Sequence, residues 1–317
     1  MSLHVIQRSL DVVSLGEALI EFNQTHPLPP TYLQGFGGDT SNAIVAAARA
    51  GARCAYLTLL GEDRWADALT QLWQQEGVAL DGVRRIRGQR SGLYFVHHDD
   101  QGHHFSYARA GSAASLMAPS DLKGNWLNLI AQSHWFHVSG ISMAISETAR
   151  ATVFEAMRQA RIAGTQVAFD TNLRLNLWPL DQARASIQQA LPCCDLLLPS
   201  LEDMMQLTGL KDPEAILDWC HDHGAVHVVL KMGAQGALIS QGEVRNWIPA
   251  MQVKALDATG AGDCFCGNLL ARLVLGDSLA QATRWANTAA ALSVQGIGAI
   301  APLPHAEQVS ALIGSST

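Results

Sequence analysis

Short apolar runs closed by glycine or a small polar residue recur along the chain, and between them apolar positions return every three or four residues. The first pattern predicts buried strands and the second amphipathic helices. Residues 12–15 read as a strand ending at Gly16-Glu17, and 19–22 either extend it or open another. Further strands are expected at 55–60, 135–140, 167–170, 195–198 and 226–230. Helices are expected over 42–50, with 39–41 as the cap, and over 67–76, 126–132, 147–163 and 181–190. Others open at Pro199 and after 257–263, and a last helix spans 279–295. Pro27, Pro29 and Pro30 mark a loop, and Gly35, Gly37 and Gly38 a flexible turn. The period changes at 92–97 and 105–109, two short strands joined as a hairpin by Asp99-Asp100-Gln101-Gly102. A hairpin inserted into an alternating chain reads as a lid. The alternation itself predicts an α/β fold with a doubly wound, mostly parallel sheet flanked by helices. No repeat or linker interrupts residues 1–317, so a single α/β domain is expected, with a small β-lid from segments near 17–36 and 91–110.

Composition narrows the partners. The chain is 48% hydrophobic and 15% charged, with a net charge of −7 and only four lysines. No basic stripe suits nucleic acid or an anionic membrane, and no apolar run has the length of a membrane span. No secretory leader is evident at the N-terminus. The six cysteines include no C-x-x-C pair, so zinc and redox spacings are absent, and reduced thiols in a cytoplasm are expected.

The chemistry concentrates at Asp257-Ala258-Thr259-Gly260-Ala261-Gly262-Asp263, a small-residue turn feeding an apolar helix. Free amides and the positive dipole end of that helix make an anion site for phosphate oxygens. A carboxylate there admits two readings: Asp263 is a helix cap, or it is a general base beside the transferring group. The second implies phosphoryl transfer from a nucleotide to an alcohol. No Walker-type G-x-x-x-x-G-K is present, and Gly296-Ile297-Gly298-Ala299-Ile300-Ala301 runs straight into Pro302 rather than into a helix, so it is no dinucleotide fingerprint. Cys264 and Cys266 flank the site, where a buried small hydrophobe is the favoured reading over a thiol nucleophile. His97, His98, His103 and His104 surround the hairpin turn, where a solvated tip is favoured over a metal site.

Asp-x-Thr-Gly-Ala-Gly-Asp resembles the C-terminal signature of the PfkB-type (ribokinase-like) carbohydrate kinases. The matching N-terminal signature lies about 220 residues earlier, at Gly37-Gly38-Asp39-Thr40-Ser41-Asn42-Ala43. The resemblance covers essentially the whole chain. It implies a ribokinase-like fold and transfer of the ATP γ-phosphoryl to a sugar hydroxyl with Mg²⁺. Asp263 then matches the base, and Gly260, Ala261 and Gly262 the anion hole. Ser200 and Asp203 stand where the family has Asn-x-x-Glu, giving Asp203 a metal role through Mg-ATP. Lys231, Gly233 and Gly236 fall in the nucleotide loop and Asn287 is placed to meet adenine; for Lys231 a plain strand-end lysine stays open. The region of Asp257 resembles a monovalent-cation (K⁺) site of some relatives. Gly38, Asp39, Asn42, Tyr94, Tyr107, Arg109 and Arg174 match the sugar-binding positions. A sugar acid needs its carboxylate paired, and Arg does this in forked geometry. With Arg109 on the lid and Arg174 in the loop after 167–170, the set resembles 2-keto-3-deoxygluconate kinases in particular, which implies a small-molecule sugar acid as substrate. Lids of this family often carry subunit contacts, so a homodimer or higher homo-oligomer is expected.

Overall fold

The computed structural model describes residues 8–99 and 102–314. The chain opens with β1 (Leu10–Leu15), β2 (Leu19–Pro27), β3 (Pro30–Gly37), α1 (Asp39–Arg49), β4 (Cys54–Gly61), α2 (Arg64–Gln75) and β5 (Val83–Ile86). Next come β6 (Gly92–Asp99), β7 (Gly102–Ala108), α3 (Asn125–Ala131), β8 (Ser133–Ser139), α4 (Gly140–Ala144), α5 (Glu147–Ile162) and β9 (Gln166–Asp170). They are followed by α6 (Leu180–Ala190), β10 (Leu196–Leu197), α7 (Leu201–Thr208), α8 (Pro213–Asp222), β11 (His227–Lys231), β12 (Ala237–Gln241) and β13 (Val244–Ile248). The chain closes with α9 (Ala261–Val274), α10 (Leu279–Ser293) and α11 (Ala306–Gly314).

A nine-stranded sheet of order β13-β12-β11-β10-β9-β8-β1-β4-β5 forms the centre among the described residues. It is parallel from β5 to β11; β12 and β13 add an antiparallel hairpin at one edge. Successive residues of each buried strand face opposite sides, so Val12 and Tyr56 enter one core and Val13 and Leu57 the other. The first core packs α1, α2, α9, α10 and α11 against the sheet, and the second packs α3 to α8. Strand order reverses at β1, whose neighbours are β4 and β8. The carboxyl ends of the parallel strands beside such a reversal form a ligand crevice. A separate four-stranded sheet, β3-β2-β6-β7, rises from that crevice, leaving β1 through Gly16-Glu17-Ala18.

Several expectations change. The proline-rich segment expected as a loop is the turn of a β2–β3 hairpin, and Gly35 and Gly37 sit within β3, not in a flexible turn. An edge strand tolerates a starting proline because one side of its ladder needs no amide. The α1 helix starts at Asp39 rather than being capped by 39–41. Its N-cap is Gly38, at φ 100°, where a Cβ would lie 2.3 Å from the Glu17 carbonyl. The strands β5, β12 and β13 and the helix α8 were not expected, and α10 is followed by α11 rather than ending the chain.

Candidate active site

Three cavities line up along the crevice. One of about 550 Å³ lies between the small sheet and the tips of β1, β8 and β9, with Gly38, Asp39, Asn42, Tyr94, Tyr107, Arg109, Arg174, Gly260 and Asp263 in its wall. A second, of about 260 Å³, lies between the β11–β12 turn and α9 and α10, and has Lys231, Gly233, Gly236, Ala261, Gly262 and Asn287 in its wall. A third, of about 240 Å³, joins them: it shares Gly260 and Asp263 with the first and Lys231, Gly233 and Gly262 with the second, and adds Ser200, Glu202 and Asp203. Apart from Asp257, every expected site residue therefore borders this trough.

The residues do not all act as expected. Asp263, in the first turn of α9, accepts a hydrogen bond from Asn42 Nδ2 at 2.8 Å. Asn172 Nδ2 approaches its other oxygen at 3.4 Å and Asp39 Oδ2 at 3.3 Å. Burial first, and the Asp39 charge second, push the Asp263 carboxyl up to about 7. Burial also raises Asp39. Asp39 Oδ1 and Asn42 Oδ1 are buried without a hydrogen-bond partner among the described residues, two acceptors suited to hydroxyl donors. The helix α9 has no side-chain cap at its N-terminus. The Ala261 amide is already given to the Ala258 carbonyl at 3.2 Å, which leaves the Gly262 and Asp263 amides as the candidates for an anion.

Arg109, expected as a carboxylate clamp, is held by a protein carboxylate. Its Nε donates to Glu17 Oε2 at 2.7 Å, and Ser112 also donates to Glu17. Glu17 is 2% exposed, so the pair is fixed rather than a solvated contact. Tyr94 donates to buried Glu21, whose carboxyl is raised by burial, while Tyr107 stays 41% exposed at the cavity mouth. Arg174 donates to its neighbour's carbonyl at Leu173 and forms no ion pair among the described residues.

On the far side, Lys231 Nζ pairs with Asp170 at 2.8 Å. Asn287 Nδ2 donates to the Ile248 and Pro249 carbonyls at 2.9 and 3.4 Å, which anchors the loop walling the second cavity. Ser200 caps α7 by accepting from the Asp203 amide at 3.0 Å. Asp203, expected at a metal, accepts from Thr171 Oγ1 at 2.9 Å and the Leu173 amide at 3.0 Å through one oxygen, which fixes the loop carrying Asn172 and Arg174. No group of three metal-ligating side chains occurs among the described residues. Asp257, in the segment compared with a potassium site, accepts from the Thr259 and Gly298 amides, both at 2.9 Å. Cys264 and Cys266 are buried, and burial pushes the Cys264 thiol up to about 12, which removes both as nucleophiles at neutral pH. The four histidines of the hairpin lie on β6 and β7, where His97 pairs with His104 and His98 with His103.

Sequence reasoning assigned no separate role to Glu17, Asp170 or Asn172. All three stand at or just past the carboxyl end of a parallel strand, the position where ligands gather. Asn172 carried a second signal invisible in sequence: its φ is 32°, a conformation asparagine tolerates better than most residues.

Doubly wound topology, an uncapped helix end at the joint and a buried carboxylate facing a polar cavity define an α/β kinase of ribokinase-like fold. Residues 9–306 match the family model described as pfkB family carbohydrate kinase, and the chain belongs to that family. A 2-dehydro-3-deoxygluconokinase from Dickeya dadantii is 33% identical over 304 residues, covering 92% of this chain and 97% of that protein. A probable fructokinase-4 from Arabidopsis thaliana is 32% identical over 318 residues, covering 95% of this chain and 96% of that protein. Among solved structures, a fructokinase with bound ATP from Xylella fastidiosa aligns at a TM-score of 0.89 with 27% identity, over 96% of this chain and 98% of that one. The chain is an ATP-dependent sugar kinase.

Proposed function

We propose that the protein transfers the γ-phosphoryl group of ATP to the 6-hydroxyl of 2-keto-3-deoxygluconate (2-dehydro-3-deoxygluconate). The observation that carries the transfer is the position of Asp263, whose side chain borders both the 550 Å³ cavity and the joint. A sugar hydroxyl in the first cavity would lie against this carboxylate, which takes the hydroxyl proton as the new O–P bond forms and the bond to ADP breaks. Asn42 and Asn172 orient the carboxylate, and the free acceptors on Asp39 and Asn42 receive other hydroxyls. The amides of Gly262 and Asp263, with Lys231, meet the transferred group. The uncapped α9 terminus beside a lysine fits a phosphate chain. Magnesium arriving with the nucleotide would neutralise phosphate charge there, with Glu202 as the exposed carboxylate on the joint wall. A potassium ion near Asp257 would stiffen the loops that this carboxylate ties together rather than touch the reacting groups.

The sugar acid is favoured by Arg174, a cavity-wall guanidinium with no ion pair among the described residues, and by relatives named 2-dehydro-3-deoxygluconokinase. A neutral ketohexose is the second reading. The Arg109–Glu17 pair supports it, because that guanidinium is already neutralised. The small sheet would act as a lid that keeps water from ATP. Exposed Leu28 and Leu33 on its hairpin offer a face to a second copy. The test is a coupled ADP-release assay with ATP and Mg²⁺ over 2-keto-3-deoxygluconate, its galacto epimer, 5-keto-2-deoxygluconate, fructose and ribose. Preference for a keto-deoxy acid is expected; preference for fructose or ribose would overturn the sugar-acid reading while keeping the transfer chemistry.

A further inference from the structure

Asp170 ends β9 and Lys231 ends β11, one on each side of β10. The Lys231 ammonium lies 2.8 Å from Asp170 Oδ2 and 3.5 Å from Cys266 Sγ, and that thiol lies 3.3 Å from the same carboxylate oxygen. The Asp170 side chain is only 4% exposed. On its other side the ammonium faces the joint: a Cβ placed on Gly262 would sit 3.5 Å from Nζ, so no side chain separates it from the α9 terminus. Burial disfavours this ammonium, yet its acidic neighbours, Asp170 foremost with Cys266 and Asp203, together outweigh the burial and hold its pKa above the ordinary lysine value.

Lysine is a point charge on a flexible four-carbon stem, and here it has other carboxylates to choose from. Asp263 is faced by Asp39 from α1, Asp170 from β9, Lys231 from β11 and Tyr94 from β6, with Arg174 on the adjoining wall. An unpinned ammonium would swing toward Asp263 or Asp203, which quenches the base in the first case and loosens the 171–173 loop in the second.

We propose that Asp170 is a positioning residue that acts through Lys231, holding its ammonium under the α9 terminus where the transferred phosphoryl group sits and away from Asp263. The proposal rests on the kinase reading of the site and not on the identity of the sugar.

The test compares Asp170→Asn, Lys231→Met and the double variant of the full chain, using whichever acceptor the wild-type protein phosphorylates best. Asp170→Asn is expected to lose about 10- to 100-fold in kcat, with KM for the sugar little changed. The acid limb of its kcat/KM profile should move to lower pH, and further in Asp170→Asn than in the double variant, because loss of the Asp170 charge and the displaced ammonium both favour ionised Asp263. The double variant should be no slower than Lys231→Met alone, since a residue acting only through Lys231 has nothing to act on once it is gone. Wild-type kcat and pH profile in Asp170→Asn, or a further 10-fold loss when it is added to Lys231→Met, would overturn the proposal. Removing one partner of a buried pair can unfold a protein; the double variant, which removes both charges, then carries the comparison with Lys231→Met. If the wild-type protein phosphorylates no acceptor in the panel, that failure belongs to the sugar reading, and ATP affinity decides this one. Equal losses in Asp170→Asn and Lys231→Met would support it, and wild-type affinity in Asp170→Asn would refute it.

Discussion

Replacing Asp263 with asparagine separates what the carboxylate does for catalysis from what it costs the fold. Burial and Asp39 move its carboxyl from 3.8 to about 7. That is about three units, or about 4 kcal/mol between its two protonation states. The folded value lies above the unfolded one, so the native state holds the proton more tightly. Below about pH 4 both states are protonated and the group contributes nothing. As pH rises toward 7 the unfolded chain ionises freely while the native carboxyl resists, and above 7 the full penalty stands. Asparagine resembles the protonated carboxyl and never ionises. Asp263→Asn should therefore melt several degrees above the wild-type protein at about pH 8, with most of that gain gone at about pH 5. Its turnover should fall by at least about 100-fold, the usual worth of a general base, while ATP still binds. Wild-type kcat/KM should fall as pH drops below about 7. Differential scanning fluorimetry at the two pH values and the ADP-release assay read both effects. A melting difference that does not change with pH would refute the account of the buried charge, and near-normal turnover would reject the base.

The two cavity arginines should behave in opposite ways. Arg174→Ala should raise KM for a sugar acid at least about 10-fold with little change in melting temperature, because it leaves no buried partner behind. Arg109→Ala should destabilise by about 3–5 kcal/mol, because it strands Glu17 as a buried charge; urea unfolding of both variants checks the contrast. Gly267→Ala should destabilise by about 1–3 kcal/mol and lower kcat. The added Cβ would lie 2.0 Å from the Ala43 carbonyl and force α9 away from α1, which unfolding and turnover measurements report together.

The main sheet was legible because its parallel strands are buried on both faces and read as apolar runs closed by small residues, as in β1, β4, β8, β9 and β11. The edges were not. β3 carries Pro30, Gly35 and Gly37, a composition that signals turns unless a partner strand supplies the ladder. β12 and β13 are five residues each, and the glycines of the preceding turn hid their start. The α8 helix did have a readable beginning, Asp212-Pro213-Glu214, with Asp212 accepting from the Glu214 amide. Around the trough, the positions that line it were legible, and partnerships between distant residues were not. Nothing local says that Arg109 is met by Glu17, 92 positions earlier, or that Asn287 turns its amide to the Ile248 and Pro249 carbonyls. Such pairings are set by where strand ends and loops converge.

Gly267 brings α9 against α1 closely enough that the backbone of one helix meets the other with no side chain between them. Asp39 and Asn42 ride on α1, and Asp263 rides on α9. The two open acceptors and the Asp263 carboxylate thus belong to one welded pair of helices, whereas Tyr94 and Tyr107 belong to the strands of the small sheet. Those strands could be re-engineered to admit longer, shorter or differently charged acceptors while the angle at which a hydroxyl meets its base stayed as it is. Altering the substrate range and altering the reaction become separable engineering problems in this scaffold.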